Sequence, residues 1–343
     1  MRTLPNLDLI RSFAVMLVVI EHTILAYHVL WIRNWEVQWI GIIGVLIFFV
    51  HTSLVLMWSL ERKPHTLDFY IRRVFRIYPL ALLAIGVTLL FHAPVGGTAE
   101  HFFAYAHPDF HGIVANILLI QNFRGPMISG VMWTLPLEVQ MYVLLPMLFF
   151  FIRQNFSLWP LFVIWSLGAA YCFHYFAPNN NTLVVAALYF IPGVMAYVGF
   201  AHRKPRLPAS LLLPFCAGLL IAFMPHPTFR KGWFVCLALG LLLPSFRQIR
   251  SKWLIRSSHE VAKYSYGIYL AHPFALVLSI YLMPKVPLAL QLTVETLAII
   301  VMSVGAYHLL EKPMIKLGSK LAARAEKRYE QVTLDSERVE QYS

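Results

Sequence analysis

Arg11 and His22 stand eleven residues apart in an otherwise apolar stretch. On a helix turning 100° per residue they share one face, about 20° past three full turns and about 16 Å apart along the axis. A single polar stripe therefore runs down that element. An imidazole deep in an apolar environment is neutral at pH 7 and can take a proton from a hydroxyl, so His22 is a candidate general base. The same ring can instead serve only to bond a neighbouring helix, and both readings stand at this level. Asp8 lies one turn before Arg11, within pairing reach, and Glu21 projects about 100° away from His22 toward a different neighbour, with no assigned role.

Arg73 and Arg76, in the run Arg72-Arg73-Val74-Phe75-Arg76, lie three residues apart and share a helix face. Two guanidiniums so placed form a fork suited to phosphate, or they simply anchor the cytoplasmic end of a membrane helix. Trp133 precedes Glu138 and Tyr142, which stand at i and i+4. Glu138 is expected in the outer half of its helix at the depth of His22, orienting the imidazole, with Arg11 or a backbone group as the alternative partner. Tyr269 and His272 lie three apart, while Glu295 and Glu311 are further acids in apolar surroundings. His92, His101, His107 and His111 are too irregular for a metal site, since Pro108 breaks the helical relation of the last two, and no metal is expected.

The elements that must carry these groups follow from composition. The chain has 343 residues, 59% hydrophobic and 13% charged, about half the charge of an ordinary soluble domain. That balance excludes a soluble enzyme, a disordered chain and a nucleic-acid module. It predicts one all-α integral membrane domain. Apolar runs place helices at 7–27, 38–60, 77–92, 133–152, 157–176, 183–200, 209–224, 229–246, 263–282 and 288–310. The stretch 113–120 is too short to cross and reads as an interfacial or re-entrant piece of one long outer loop. Of the 28 basic residues, 22 fall in alternate connections or the termini, five in the opposite connections, and Arg11 within the first span. This bundle of about ten transmembrane helices is therefore expected to keep both termini in the cytoplasm. The first span carries Asp8, Arg11, Glu21 and His22 and reads as retained, not cleaved. Residues 314–343 read as a charged cytoplasmic helix or tail that can touch anionic lipid.

Five ordered motifs then add up. LDLIRSFAVMLVVIEH, RRVFRIYP, MWTLPLEVQMY, SYGIYLAHP and the closing EKP span residues 7 to 313. Together they make the chain resemble the acyltransferase 3 family of multi-span membrane acyltransferases. The resemblance implies transfer of an acyl group, usually acetyl, from cytosolic acyl-CoA to a hydroxyl of an extracytoplasmic glycan such as O-antigen or exopolysaccharide. By motif match it makes His22 the catalytic residue with Arg11 as its companion, and Arg73 with Arg76 the coenzyme A site. Glu138, Trp133, Tyr142, Tyr269, His272 and Glu311 would line or support the cavity. Ser12, Thr134, Gln140 and Glu21 depart from the family pattern. The length leaves no room for the fused extracellular domain that some members carry, so residues 1–313 are expected to be a stand-alone transmembrane acyltransferase domain of a bacterial inner membrane.

The expected partners are acetyl-CoA, a glycan or lipid-linked sugar acceptor and membrane lipid. No nucleic acid is expected. Acceptor contacts are expected in the outer loop, with Tyr105, Phe110, Asn116 and Arg124 as candidates. The rival from another class is a transporter or flippase of a lipid-linked glycan, because buried charges also mark permeation routes.

Overall fold

A computed structural model describes residues 4–97, 102–154, 157–176 and 183–326. Its helices are α1 (Pro5–Ala26), α2 (Gln38–Arg62), α3 (Thr66–Phe91), α4 (Phe110–Ile117), α5 (Thr134–Gln154), α6 (Leu158–Tyr175), α7 (Leu183–His202), α8 (Leu212–Phe223), α9 (Phe229–Leu242), α10 (Lys252–Leu276) and α11 (Leu288–Ala306). Among the described residues the only sheet is a pair of two-residue strands, Trp31–Ile32 and Trp35–Glu36. The fold is all-α. Each of the ten expected stretches carries a helix. Among the described residues, six helices are long and apolar enough to cross a membrane: α1, α2, α3, Gly130–Gln154, α7 and Leu288–Glu326. The weak stretch of the outer loop forms α4, where Asp109 Oδ1 accepts from Gly112 N at 2.7 Å and caps the helix.

Between lipid-bathed helices there is little hydrophobic drive, so close packing and internal hydrogen bonds hold the bundle. Helix α1 lies between α2 and α10, while α2 also packs on α7 and α9. Gly44 of α2 makes the first contact possible, because a Cβ there would sit 2.5 Å from the Ala14 carbonyl oxygen of α1. Helix α1 is tied to α11 by polar pairs. Thr23 Oγ1 donates to Glu295 Oε1 at 2.5 Å, and Tyr27 donates to Gln291 Oε1 at 2.8 Å. Glu295, which the sequence leaves without a partner, thus bonds α1. Asp8 does not pair with Arg11. It meets His259 Nδ1 of α10 at 2.9 Å instead, since α10 lies directly against this end of α1.

Two π-helical turns interrupt the C-terminal helices, Val277–Tyr281 after α10 and Tyr307–Glu311 after α11. A π turn inserts one extra residue and shifts every later side chain to a new azimuth. The final helix runs on through its π turn to Glu326. Residues 314–326, the start of the stretch expected as a charged helix or tail, are helical and packed on the α2–α3 region: Lys63 reaches Glu326 at 2.7 Å and Arg72 Nη1 reaches Ser319 Oγ at 3.1 Å. The remaining tail residues, 327–343, lie outside the described residues.

Gly44→Ala should destabilise the protein by about 1–3 kcal/mol, because the clash is with backbone and the helices must separate. Gly86 of α3 has nothing within 4 Å of the added carbon, so Gly86→Ala should leave stability unchanged or slightly raised. Thermal unfolding of the detergent-solubilised pair checks this ordering.

Candidate active site

The basic residues at the start of α3 divide between two tasks. Arg72 grips Asp68 with two bonds, Nε to Oδ2 at 2.7 Å and Nη2 to Oδ1 at 3.0 Å, and so braces the helix start. Arg73 and Arg76 instead line an internal cavity of about 120 Å³. Arg76 Nη1 meets Glu311 Oε2 at 3.1 Å, while Arg73 Nε is buried with no hydrogen-bond partner. Glu311 is the last residue of the second π turn. Glu311 therefore supports the cavity as a counter-ion without lining it.

Arg11 enters the same cavity from α1 and donates through Nε to Ser265 Oγ of α10 at 2.6 Å. From α5 come Glu138 and Tyr142, bonded to each other at 2.6 Å. Three guanidiniums against two carboxylates leave the inner cavity with excess positive charge. It suits an anionic ligand.

His22 opens into a second cavity of about 290 Å³, bordered by Gln38 and Gly41 of α2, Phe102, Trp133 and Pro273. Its Nδ1 lies 3.0 Å from the Val18 carbonyl oxygen and against the Glu21 carboxylate. Two acceptors at Nδ1 hold the proton there and leave Nε2 as the basic nitrogen, with no bonding partner among the described residues. The His272 ring stands edge-on to His22 at 4.9 Å and Phe102 at 5.7 Å. His272 is wholly buried and bonds its own helix through Nδ1 to the Ile268 carbonyl at 3.2 Å, so it backs the imidazole and does not line the cavity.

One expectation is corrected. The carboxylate beside His22 is Glu21, not Glu138. Gly41 of α2 leaves the space it occupies, since a Cβ there would stand 2.5 Å from Glu21 Oε2. Glu138 lies deeper because the chain before α5 dips into the bundle: Val131 and Met132 are buried in a 3₁₀ turn, so Trp133 lines the outer cavity and Glu138 the inner one. The two cavities abut. Val45 and Tyr269 line both, and the Tyr269 hydroxyl is held by the Val131 carbonyl at 2.5 Å and Thr134 Oγ1 at 2.9 Å.

In the outer loop, Asn116 is unavailable to a sugar. It is buried and knots the loop, donating to the Gly112 and Pro126 carbonyls at 2.9 Å each and accepting from Ile128 N at 3.1 Å. Phe110 and Arg124 are exposed, and Tyr105 packs between His92 and His107. His101 lies outside the described residues. Sequence reasoning passed over His51 and Thr52, which line the inner cavity. Three consecutive polar residues, His51-Thr52-Ser53, in the apolar run of α2 were the available signal.

The profile of a family described as an acyltransferase domain matches residues 4–309. The chain belongs to the acyltransferase 3 family. It is 24% identical over 371 aligned positions to the O-acetyltransferase OatA of Staphylococcus aureus, covering 94% of this chain and 59% of that protein. A Bacillus subtilis protein, YrhL, named as a candidate peptidoglycan O-acetyltransferase, is 30% identical over 161 positions, 43% of this chain and 24% of its own length. The acyltransferase MdmB of Streptomyces mycarofaciens is 27% identical over 189 positions, 52% of this chain and 42% of its own. The chain thus spans well under two thirds of the length of these relatives. No solved structure matches it.

The Arg76–Glu311 pair can be measured in isolation. Arg76→Gln should lower the thermal midpoint by stranding the Glu311 carboxylate, and adding Glu311→Gln should recover part of the loss. A double-mutant cycle should give a coupling of about 1–3 kcal/mol; strictly additive effects would show that the two side chains do not depend on each other.

Proposed function

We propose that this chain is a membrane O-acyltransferase moving an acyl group, acetyl first among them, from cytosolic acyl-CoA to a hydroxyl of an extracytoplasmic glycan. The observation that carries the reading is the placement of α1, which presents Arg11 to a guanidinium-rich inner cavity and His22 to a separate outer cavity. Such a helix suits a reaction whose substrates come from opposite faces of a membrane. The family membership and the O-acetyltransferase names of the relatives support the chemistry.

In this reading the bundle crosses the inner membrane ten times with both termini cytoplasmic, as the distribution of basic residues favours. Arg73 and Arg76 then open toward the cytosol and receive the phosphates of acyl-CoA, whose thioester arm points up the bundle. The acceptor hydroxyl arrives at His22 from the other side, and Nε2 takes its proton. The hydroxyl oxygen forms its bond to the thioester carbon as the carbon–sulfur bond breaks, and the proton passes to the departing thiolate. Glu21 keeps the imidazole in the tautomer that can act and stabilises it when it carries the extra proton. A lipid-linked sugar, O-antigen or exopolysaccharide unit fits the acceptor's part.

Purified protein incubated with radiolabelled acetyl-CoA and glycan acceptors should place label in the glycan; movement of a lipid-linked glycan across the bilayer without label would replace this reading with a flippase. His22→Ala should lower transfer at least about 100-fold. Gly41→Ala, which pushes the Glu21 carboxylate aside, should lower kcat about tenfold or more with KM for acetyl-CoA little changed. Arg73→Ala should instead raise that KM by about tenfold or more, as expected for loss of a charge-assisted bond to phosphate.

A further inference from the structure

The inner cavity holds one imidazole with no task in the scheme above. His51 sits on α2, 6% exposed, and lines the cavity beside Thr52, Arg11 and Glu138. Among the described residues its ring has no hydrogen-bond partner, and its nitrogens are not sealed off by packing. A buried polar ring left unpaired on a cavity wall costs free energy unless something that enters the cavity bonds it.

The other polar groups on the wall are one-sided or already engaged, the Tyr266 hydroxyl by the Ile77 carbonyl and those of Tyr269 and Thr134 by each other. Guanidiniums only donate, Glu138 only accepts and already holds the Tyr142 hydroxyl at 2.6 Å, and the Ser265 hydroxyl receives Arg11 at 2.6 Å. A neutral imidazole offers one donor and one acceptor, and the Thr52 hydroxyl offers both as well. The chemical group that matches such a pair is a secondary amide, with its N–H and its C=O. Acyl-CoA carries secondary amides in the pantetheine arm, between the phosphates that suit Arg73 and Arg76 and the thioester that must pass Tyr269 to meet the acceptor at His22.

We propose that His51, together with Thr52, docks an amide of the pantetheine arm and so holds the donor extended from the arginines toward Val45 and Tyr269, where the two cavities meet. The proposal rests on the acyl-CoA reading. His51 makes and breaks no covalent bond here; it sets affinity for the arm and not for the nucleotide.

Equilibrium binding of two probes to the full detergent-solubilised chain tests it: coenzyme A, and adenosine 3′,5′-bisphosphate, which keeps nucleotide phosphates and lacks the arm. His51→Leu should weaken coenzyme A about 3- to 10-fold, the range of one neutral hydrogen bond, and leave the bisphosphate unchanged. His51→Gln, which retains a donor and an acceptor, should bring coenzyme A back to within about twofold of wild type. Equal weakening of both probes would assign His51 a structural role and overturn the proposal, as would coenzyme A binding that His51→Leu does not change. If His51→Leu does not fold, Thr52→Val carries the same comparison, and the absence of any selective loss for coenzyme A overturns the idea. Wild-type protein that binds no coenzyme A removes the donor reading itself, a result distinct from loss of selectivity.

Discussion

A polar side chain inside a bilayer has no water to fall back on, so its partner must come from the protein, and that partner fixes the helix that carries it. Helix α1 is the clearest case. Arg11 is held by Ser265 of α10, Thr23 by Glu295 of α11, and Glu21 occupies the gap that Gly41 leaves on α2. Three attachments to three different helices leave α1 a single rotation about its axis. That rotation turns the imidazole and the guanidinium toward the interior on the same face, yet into different compartments. The rest of the bundle serves this arrangement, with α2 packed close enough for Gly44 to touch the backbone of Ala14.

The same constraint explains how the positive charge at the start of α3 is kept compact. Arg72, Arg73 and Arg76 within five residues would repel one another if left to themselves. Each meets a different environment. Arg72 is neutralised by Asp68 on its own helix, Arg76 by Glu311 brought in from the far end of the chain, and Arg73 is left facing the cavity. The second oxygen of that carboxylate, Oε1, is buried without a hydrogen-bond partner among the described residues. Docking of the last helix on the α2–α3 connection, through Lys63 and Glu326, holds that counter-ion in place.

Much of this was legible in the residues alone, for physical reasons that also mark where legibility ends. Apolar run length gave the helical stretches because lipid demands long uninterrupted helices. The eleven-residue spacing gave the shared face of Arg11 and His22 because a helix has a fixed turn angle. What spacing cannot show is where a flexible stem bends. Glu21 was read as pointing away from His22, but its side chain folds back into space made by a glycine on another helix. Glu138 was read at the wrong depth because the buried 3₁₀ turn before α5 leaves no mark in hydropathy. Glu311 could not be aimed because a π turn adds a residue to the helical count without changing composition. Asn116 was read as a contact for sugar when its amide closes the loop on itself, a role that only the neighbouring carbonyls reveal.

Val45 and Tyr269 line both cavities, so the two spaces abut at these side chains. A membrane that stores energy as an ion gradient cannot tolerate a wet bore from face to face, since protons hop along water chains and would drain the gradient within the lifetime of the protein. With its hydroxyl moored to the turn before α5, the Tyr269 ring stands fixed where the two spaces meet, the point any such bore would have to pass.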